Sequence, residues 1–442
     1  MTTSNTTSGV FTLPAGAPSA ARATLKLLLR LKHGTLTVKL PDGSVQRFGG
    51  HNENGQNPQA SLHLLNWNVC SAALKSGDIG FAESYIAGDW TTPHLTDLLQ
   101  VFIVNRKEVE DMIYGTWLGR FAYRIKHLLN RNTKANSQKN IHAHYDLGNA
   151  FYELWLDGTM NYSSAIFEAP ETSMKDAQHA KVRRALRMAQ VKPGDRVLEI
   201  GCGWGALAEK ATKEFDANVV GVTLSTEQLE WANQRMQREG VAKRGDGPPL
   251  AATAPSGGSA VREAISVGVP TYDLRLQDYR DIGKTTQDAP FDAICSIEMV
   301  EAVGREYWPE YFQTVHRLLK PGGHACIQSI VIADALFERY LTSTDFIQQY
   351  VFPGGCLPCP KEFRAQAIKA GLQVVDEFSF GQDYARTLQL WREQFAAQHA
   401  HVLQLGFDER FIRIWEFYLS YCEAAFLEAN TDVVQYTLRK PE

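Results

Sequence analysis

From about residue 180 the chain alternates short apolar, β-branched runs with longer helical segments. The short runs are RVLEIG (196–201), NVVGVTL (218–224), YDLRLQD (272–278), FDAICSI (291–297) and GHACIQSIVI (323–332), and stretches such as GALAEKATKEF and STEQLEWANQRMQREG separate them. Strand and helix in alternation predict an α/β domain whose parallel, doubly wound sheet carries helices on both faces. Ligands of such sheets bind beyond the carboxyl ends of the strands. One segment breaks the rhythm: residues 243–270, rich in Gly, Pro, Ala and Ser, read as a flexible insertion.

The earlier part of the chain has a different texture. Residues 1–21 read as a disordered tail, and 22–139 as a smaller mixed domain in which apolar runs are broken by Gly and Asp. Residues 119–140 hold Arg120, Arg124, Lys126, Arg131, Lys134 and Lys139 with no acid among them, interleaved with Phe, Tyr, Ile and Leu. That pattern suits an anionic membrane surface; a solvated helix face leading into a linker is the alternative.

Composition narrows the class. With 44% hydrophobic and 21% charged residues over 442 positions, the chain is an ordinary globular one. A net charge of -4 argues against wholesale nucleic-acid binding. Seven cysteines, an odd number, fit reduced thiols in the cytoplasm better than a disulfide framework. Cys356 and Cys359 form a CxxC with no second pair, too few ligands for structural zinc. No run approaches the ~20 apolar residues of a spanning helix, so the expectation is a cytoplasmic protein in peripheral contact with membranes.

The strand ends carry the candidate chemistry. VLEIGCGWG places Glu199 at the end of a strand and then Gly201, Gly203 and Gly205, which allow a sharp turn and let a ligand lie against the backbone. This E-x-GxGxG form points to S-adenosylmethionine (SAM). The next strand ends in VTLSTEQ, offering Thr223, Leu224, Ser225 and Gln228 for ribose contacts. The third ends in LQDYRDI, where Asp278 can accept from an adenine amino group and Tyr279 can stack beside the ring.

These motifs, with HYDLGNAFYELWLDGTMNYSSAIF (144–167) upstream and FIQQYVFPGGCLP (346–358) downstream, resemble the cyclopropane-fatty-acid synthase family of SAM-dependent methyltransferases. The similarity runs from about 140 to 430, and more loosely through GFAESYIAGDW. It implies a class I SAM-dependent methyltransferase domain with a Rossmann-like sheet over 140–442 and an N-terminal lipid-interacting domain. It also implies an unsaturated phospholipid as substrate and, as in many relatives, a homodimer. In this family a cis double bond attacks the SAM methyl group, and a bicarbonate ion takes the proton lost as a cyclopropane ring closes.

Carried over position by position, Glu301 in VEAVG holds the bicarbonate, Tyr384 in FGQDYARTLQLW donates to it, and the main chain of Ile330 contacts it. Tyr162, Ser163 and Ile297 match SAM contacts. Three departures stand out. Ser164 replaces a cysteine, Gln328 replaces a histidine, and SIEMVEAVG introduces Glu298 while placing Ala302 at another histidine position. The EMVEAVG, YSSA and IQSI combination resembles the tuberculostearic acid methyltransferase branch, whose products are methylene- or methyl-branched. The expected activity is a cyclopropane-fatty-acyl-phospholipid synthase, with a branching C-methyltransferase as the alternative and a small-molecule N- or O-methyltransferase as a weaker one. Whether Glu298 pairs with a basic group or alters the end of the reaction is left open by the sequence.

Overall fold

The structure is a computed structural model that describes residues 16–50, 57–109, 147–245, 269–284 and 290–442. The basic segment 119–140, the boundary expected near 139 and most of the insertion at 243–270 lie outside the described residues. The chain divides into two compact units: Met1–Arg131, Ala335–Pro353 and Ala385–Thr431 form one, and Asn132–Asp334, Gly354–Tyr384 and Asp432–Glu442 the other.

In the first unit four strands, β1 (Thr35–Lys39), β2 (Val45–Gly49), β3 (Gln59–Leu64) and β4 (Trp90–Thr91), lie in the order β2-β1-β3-β4. Helix Ser19–Leu28 begins inside the stretch expected to be a tail and buries Ala21, Leu25 and Leu28. Trp90 stacks on Phe81 at 4.3 Å, and its ring N–H donates to Ser84 Oγ at 2.9 Å, so the largest side chain of this core has its polar atom satisfied. Helix Asn68–Ile86 is interrupted at Gly77, where φ is 62° and ψ -136°. Asp78 follows and accepts from the N–H of Ile79, restarting the helix.

The second unit is built on eight strands: β5 (Arg196–Ile200), β6 (Asn218–Thr223), β7 (Ala242–Lys243), β8 (Thr271–Leu276), β9 (Phe291–Ile297), β10 (Leu319–Ile332), β11 (Gln373–Ser379) and β12 (Thr431–Arg439). Their order is β11-β12-β10-β9-β5-β6-β8-β7. Pairing is parallel from β10 through β9, β5, β6 and β8 to β7, and antiparallel between β11 and β12. The five expected strands are all present, and β7, β11 and β12 are additional. Val182, Ala185 and Leu186 of helix Met174–Met188 and Leu207, Ala208 and Ala211 of helix Ala206–Glu214 cover apolar strand residues such as Val197 and Val219. Packing there is close. A Cβ on Gly221, mid-β6, would lie 2.6 Å from a Leu274 methyl and 3.0 Å from Cys202 Cβ, so the strand tolerates only glycine at that point.

Candidate active site

At the carboxyl ends of β5, β6, β8 and β9 a cleft opens with an empty volume of about 830 Å³, counting its open mouth. Gly201, Gly203, Thr223, Leu224, Gln228, Asp278, Tyr279 and Ile297 line it, as the sequence reading expected of a SAM site. Gly203 has φ +48°, and a Cβ built there would meet nothing within 4 Å. The turn after β5 is therefore a bare backbone cradle facing ligand space, and it fits the methionine portion of SAM. Asp278 is held by the Arg280 side chain (2.9 Å to Nε, 2.5 Å to Nη2), which fixes its carboxylate at the cleft wall. The Tyr279 ring is braced edge-on by Tyr311 at 5.5 Å.

The remaining expected SAM contacts do not line the cleft; they support it. Glu199 is buried and, close to helix Ala206–Glu214, accepts from the N–H of Ala208, steadying the glycine turn from beneath. Gly205, φ +81°, opens that helix, and a Cβ there would press on Ala232 at 3.0 Å. Ser225 caps helix Thr226–Arg238 by accepting from the N–H of Gln228. Tyr162 packs with Tyr152 and Trp155 at 5.6 and 5.4 Å. Ser163 Oγ accepts from Lys181 Nζ at 2.5 Å. Met299, whose side chain lies against Gly201, is a cleft residue the sequence reading missed, and Glu298, whose role it left open, lines the cleft too.

Glu298 is the centre of the second half of the site. It follows the last residue of β9 and has φ +52°, a left-handed conformation that a non-glycine residue adopts at a cost of order 1–3 kcal/mol. Its N–H extends the ladder to the carbonyl of Gln328 at 2.8 Å. Its carboxylate takes three donors: the N–H of Ser164 at 2.9 Å, Gln328 Nε2 at 2.7 Å and the Tyr384 hydroxyl at 2.7 Å. Glu301 lies in the 3₁₀ turn Val300–Ala302, accepts at Oε1 from the N–H of Ile330, and gives its carbonyl to the N–H of Cys356 at 2.8 Å. Its Oε2 is buried with no hydrogen-bond partner among the described residues.

These hydrogen bonds bear on the expected bicarbonate site. Ser164, Gln328 and Tyr384, assigned to the ion, all donate to Glu298, and the N–H of Ile330 is taken by Glu301. The donors that would recognise the ion are already spent on protein carboxylates, so the residues present do not fit a bound bicarbonate. The three departures from the family pattern, at 164, 298 and 328, form a single hydrogen-bonded group.

Charge separates the two acids. Burial raises Glu298, but the Lys181 ammonium and three donors favour its ionised form. Burial and the neighbouring Glu298 charge push Glu301 up to about 8. Two close carboxylates do not both ionise readily; the net shift of Glu298 is upward, but the donors gathered on it favour charge there, while Glu301, pushed up to about 8, favours its proton at neutral pH. Lys181 is fully buried and pushed down to about 8 by desolvation, against the pull of Glu298, Asp157 and Glu199.

Comparison with known proteins settles the family. The profile described as mycolic acid cyclopropane synthetase matches residues 132–246 and 265–436, well over half of the chain. The chain belongs to that family. It is 34% identical to the tuberculostearic acid methyltransferase UfaA1 of Mycobacterium tuberculosis, over 96% of this chain and 92% of that one. It is 32% identical to the cyclopropane-fatty-acyl-phospholipid synthase of Escherichia coli, over 88% and 92%. Among solved structures, mycolic acid cyclopropane synthase CmaA1 with SAH and CTAB covers 69% of this chain and 98% of its own at 30% identity and a TM-score of 0.58. The fold is thus that of a class I SAM-dependent methyltransferase, and this family member is a SAM-dependent methyltransferase.

Proposed function

We propose that this protein is a fatty-acyl C-methyltransferase that adds a one-carbon branch to a cis double bond of an unsaturated phospholipid acyl chain, with Glu298 as the proton acceptor. The observation that carries the reading is the convergence of Ser164, Gln328 and Tyr384 on the Glu298 carboxylate. SAM, bound against the Gly201–Gly203 turn, supplies an electrophilic methyl group. The alkene π pair forms the new carbon–carbon bond, leaving a cation on the neighbouring carbon. Glu298 lines the same cleft, and a preorganised carboxylate in a low-dielectric wall stabilises that cation and holds it from water. After a 1,2-hydride shift, a proton of the added methyl group passes to Glu298 and its C–H pair becomes the methylene double bond. Direct loss of the same proton would close a cyclopropane ring instead. The likeness to the tuberculostearic acid methyltransferase over nearly the whole chain, together with the resemblance of EMVEAVG, YSSA and IQSI to that branch, favours it.

The test is incubation with SAM and vesicles of defined cis-unsaturated phospholipid. Ring and methylene branch have equal mass, but mild hydrogenation of the released acyl chains adds two hydrogens to the branch and leaves the ring. A ring product returns the protein to the cyclopropane synthases, and no methylated lipid overturns the acyl-chain reading. Glu298→Gln is expected to lower turnover by about 10²–10⁴-fold, the usual span for a general base, with SAM affinity by calorimetry unchanged. Turnover in carbonate-free buffer is expected to equal that with bicarbonate added; a bicarbonate requirement would restore the ion and remove Glu298 from the role.

A further inference from the structure

Behind Glu298 a line of side chains leads away from the cleft. Gln328 Nε2 donates to Glu298 Oε1 at 2.7 Å, Gln435 Nε2 donates to Gln328 Oε1 at 3.0 Å, and Arg184 Nη1 donates to Gln435 Oε1 at 2.7 Å. Both glutamines are fully buried. The second N–H of the Gln435 amide reaches the carbonyl of Lys181 at 3.3 Å, so its hydrogen-bonding capacity is used. Arg184 is itself fixed from the side, by Asp376 at 3.0 Å and by the Phe378 ring, over which its guanidinium lies at 4.1 Å.

We propose that Arg184 is a positioning residue for Glu298, setting through Gln435 the direction in which the Gln328 amide points. A guanidinium only donates, so the carbonyl end of Gln435 faces it. The amino end of Gln435 then faces Gln328, whose carbonyl accepts, and this leaves the Gln328 amino group for the carboxylate. A side-chain amide is otherwise free to present either end; here a cation at one terminus and an anion at the other demand the same polarity. Aligned amide dipoles reinforce one another in a low-dielectric interior. The effect is to present the positive end of the line to Glu298 and to favour its ionised form. No proton travels along the line.

The inference rests on the reading of Glu298 as the proton acceptor, and its test separates the two. The titratable groups facing Glu298 are Lys181, Glu301 and Tyr384, and none is altered by changes at 184 or 435. Gln435→Glu gives Arg184 an acceptor but offers Gln328 no donor, so the Gln328 amide turns its carbonyl toward Glu298. Arg184→Met removes the director, and Arg184→Lys keeps a donor. For Gln435→Glu and Arg184→Met the acid limb of the kcat–pH profile is expected to move up by about one pH unit, with kcat down about tenfold at neutral pH. Arg184→Lys should restore most of both. SAM affinity should stay constant throughout.

A merely structural role for Arg184 would lower the thermal midpoint and leave the acid limb in place, which overturns the proposal. Should Gln435→Glu not fold, Arg184→Met and Arg184→Lys carry the same comparison, since Arg184 is part-exposed. Carboxyl ¹³C titration of Glu-labelled protein, assigned by loss of the signal in Glu298→Gln, reads the anion without activity. A shifted titration with unchanged kcat supports the positioning of Glu298 and sinks its catalytic role. Loss of turnover in Glu298→Gln with an unshifted titration in the Arg184 variants does the reverse.

Discussion

The two acids of CSIEMVEAVG face different fates because a single residue between strand and turn changes their geometry. Residues three apart on a continuing strand would point to opposite faces, and on a helical turn to the same side. The chain does neither: Glu298 adopts φ +52° and Glu301 sits in a 3₁₀ turn, and both end in one electrostatic neighbourhood. The sequence placed Glu301 at the centre because the family pattern did; what it could not reveal was that Ser164, Gln328 and Tyr384 would meet on Glu298. A group whose folded-state pKa is raised contributes stability at pH values below its unfolded pKa, and that contribution is lost as pH rises through the folded value. Glu301, pushed up to about 8, is thus progressively destabilising from the ordinary carboxylate range to about pH 8. Glu301→Gln keeps the acceptor for Ile330 and removes the titration. Its stability should exceed that of wild type by an amount that grows between pH 5 and pH 7.5 to about a few kcal/mol, read as a widening difference in thermal midpoint; an equal difference at the two pH values would contradict the assignment of the proton to Glu301.

At the scale of elements, the parts of the fold that were legible were those with a local signal. Apolar β-branched runs marked β5, β6, β8, β9 and β10, and the glycines after β5 announced a turn that a ligand can approach. Strand β11 alternates exposed and part-buried positions without a strong apolar run, and β12 lies far from the repeating strand-and-helix rhythm, so neither was anticipated. That omission hid Gln435, since the residue is chemically meaningful only once β12 lies beside β10 in the sheet. Lys181 was missed for a related reason: a lysine on a helix reads as solvated, and only packing shows it fully buried. The glycine turn supports its own test. Gly203→Val adds a branched side chain at φ +48° and directs it into open ligand space. Calorimetry should show SAM affinity lost by at least about 100-fold, a few kcal/mol of steric exclusion; unchanged affinity would move the cofactor elsewhere.

At the scale of the whole chain, each unit carries its own pH response. In the unit of β1–β4, Asp78 accepts from the Tyr421 hydroxyl at 3.0 Å, and burial with the Asp345 carboxylate nearby pushes it up to about 7. Asp345, which caps helix Phe346–Tyr350, is pushed up to about 6 by burial. Both folded values are raised, so their contribution to stability is present at low pH and lost as pH climbs from the ordinary carboxylate range to about 6 and 7. Asp78→Asn keeps an acceptor for the Ile79 N–H and turns its amino group to the Tyr421 oxygen, and should raise the thermal midpoint by more at pH 8 than at pH 5. A variant no more stable than wild type at pH 8 would show that the acid is not strained by its surroundings.

The three donors gathered on Glu298 have one further consequence, which concerns supply. A dissolved anion reaches its site by diffusion, leaves at a finite rate, and is present in proportion to what the medium holds. A side-chain carboxylate that serves as the base, as proposed for Glu298, has no dissociation constant; each folded molecule would carry it in place, at an effective concentration no solution can match. On the proposed role of Glu298, the protein is expected to work at the same pace whether dissolved inorganic carbon is plentiful or scarce.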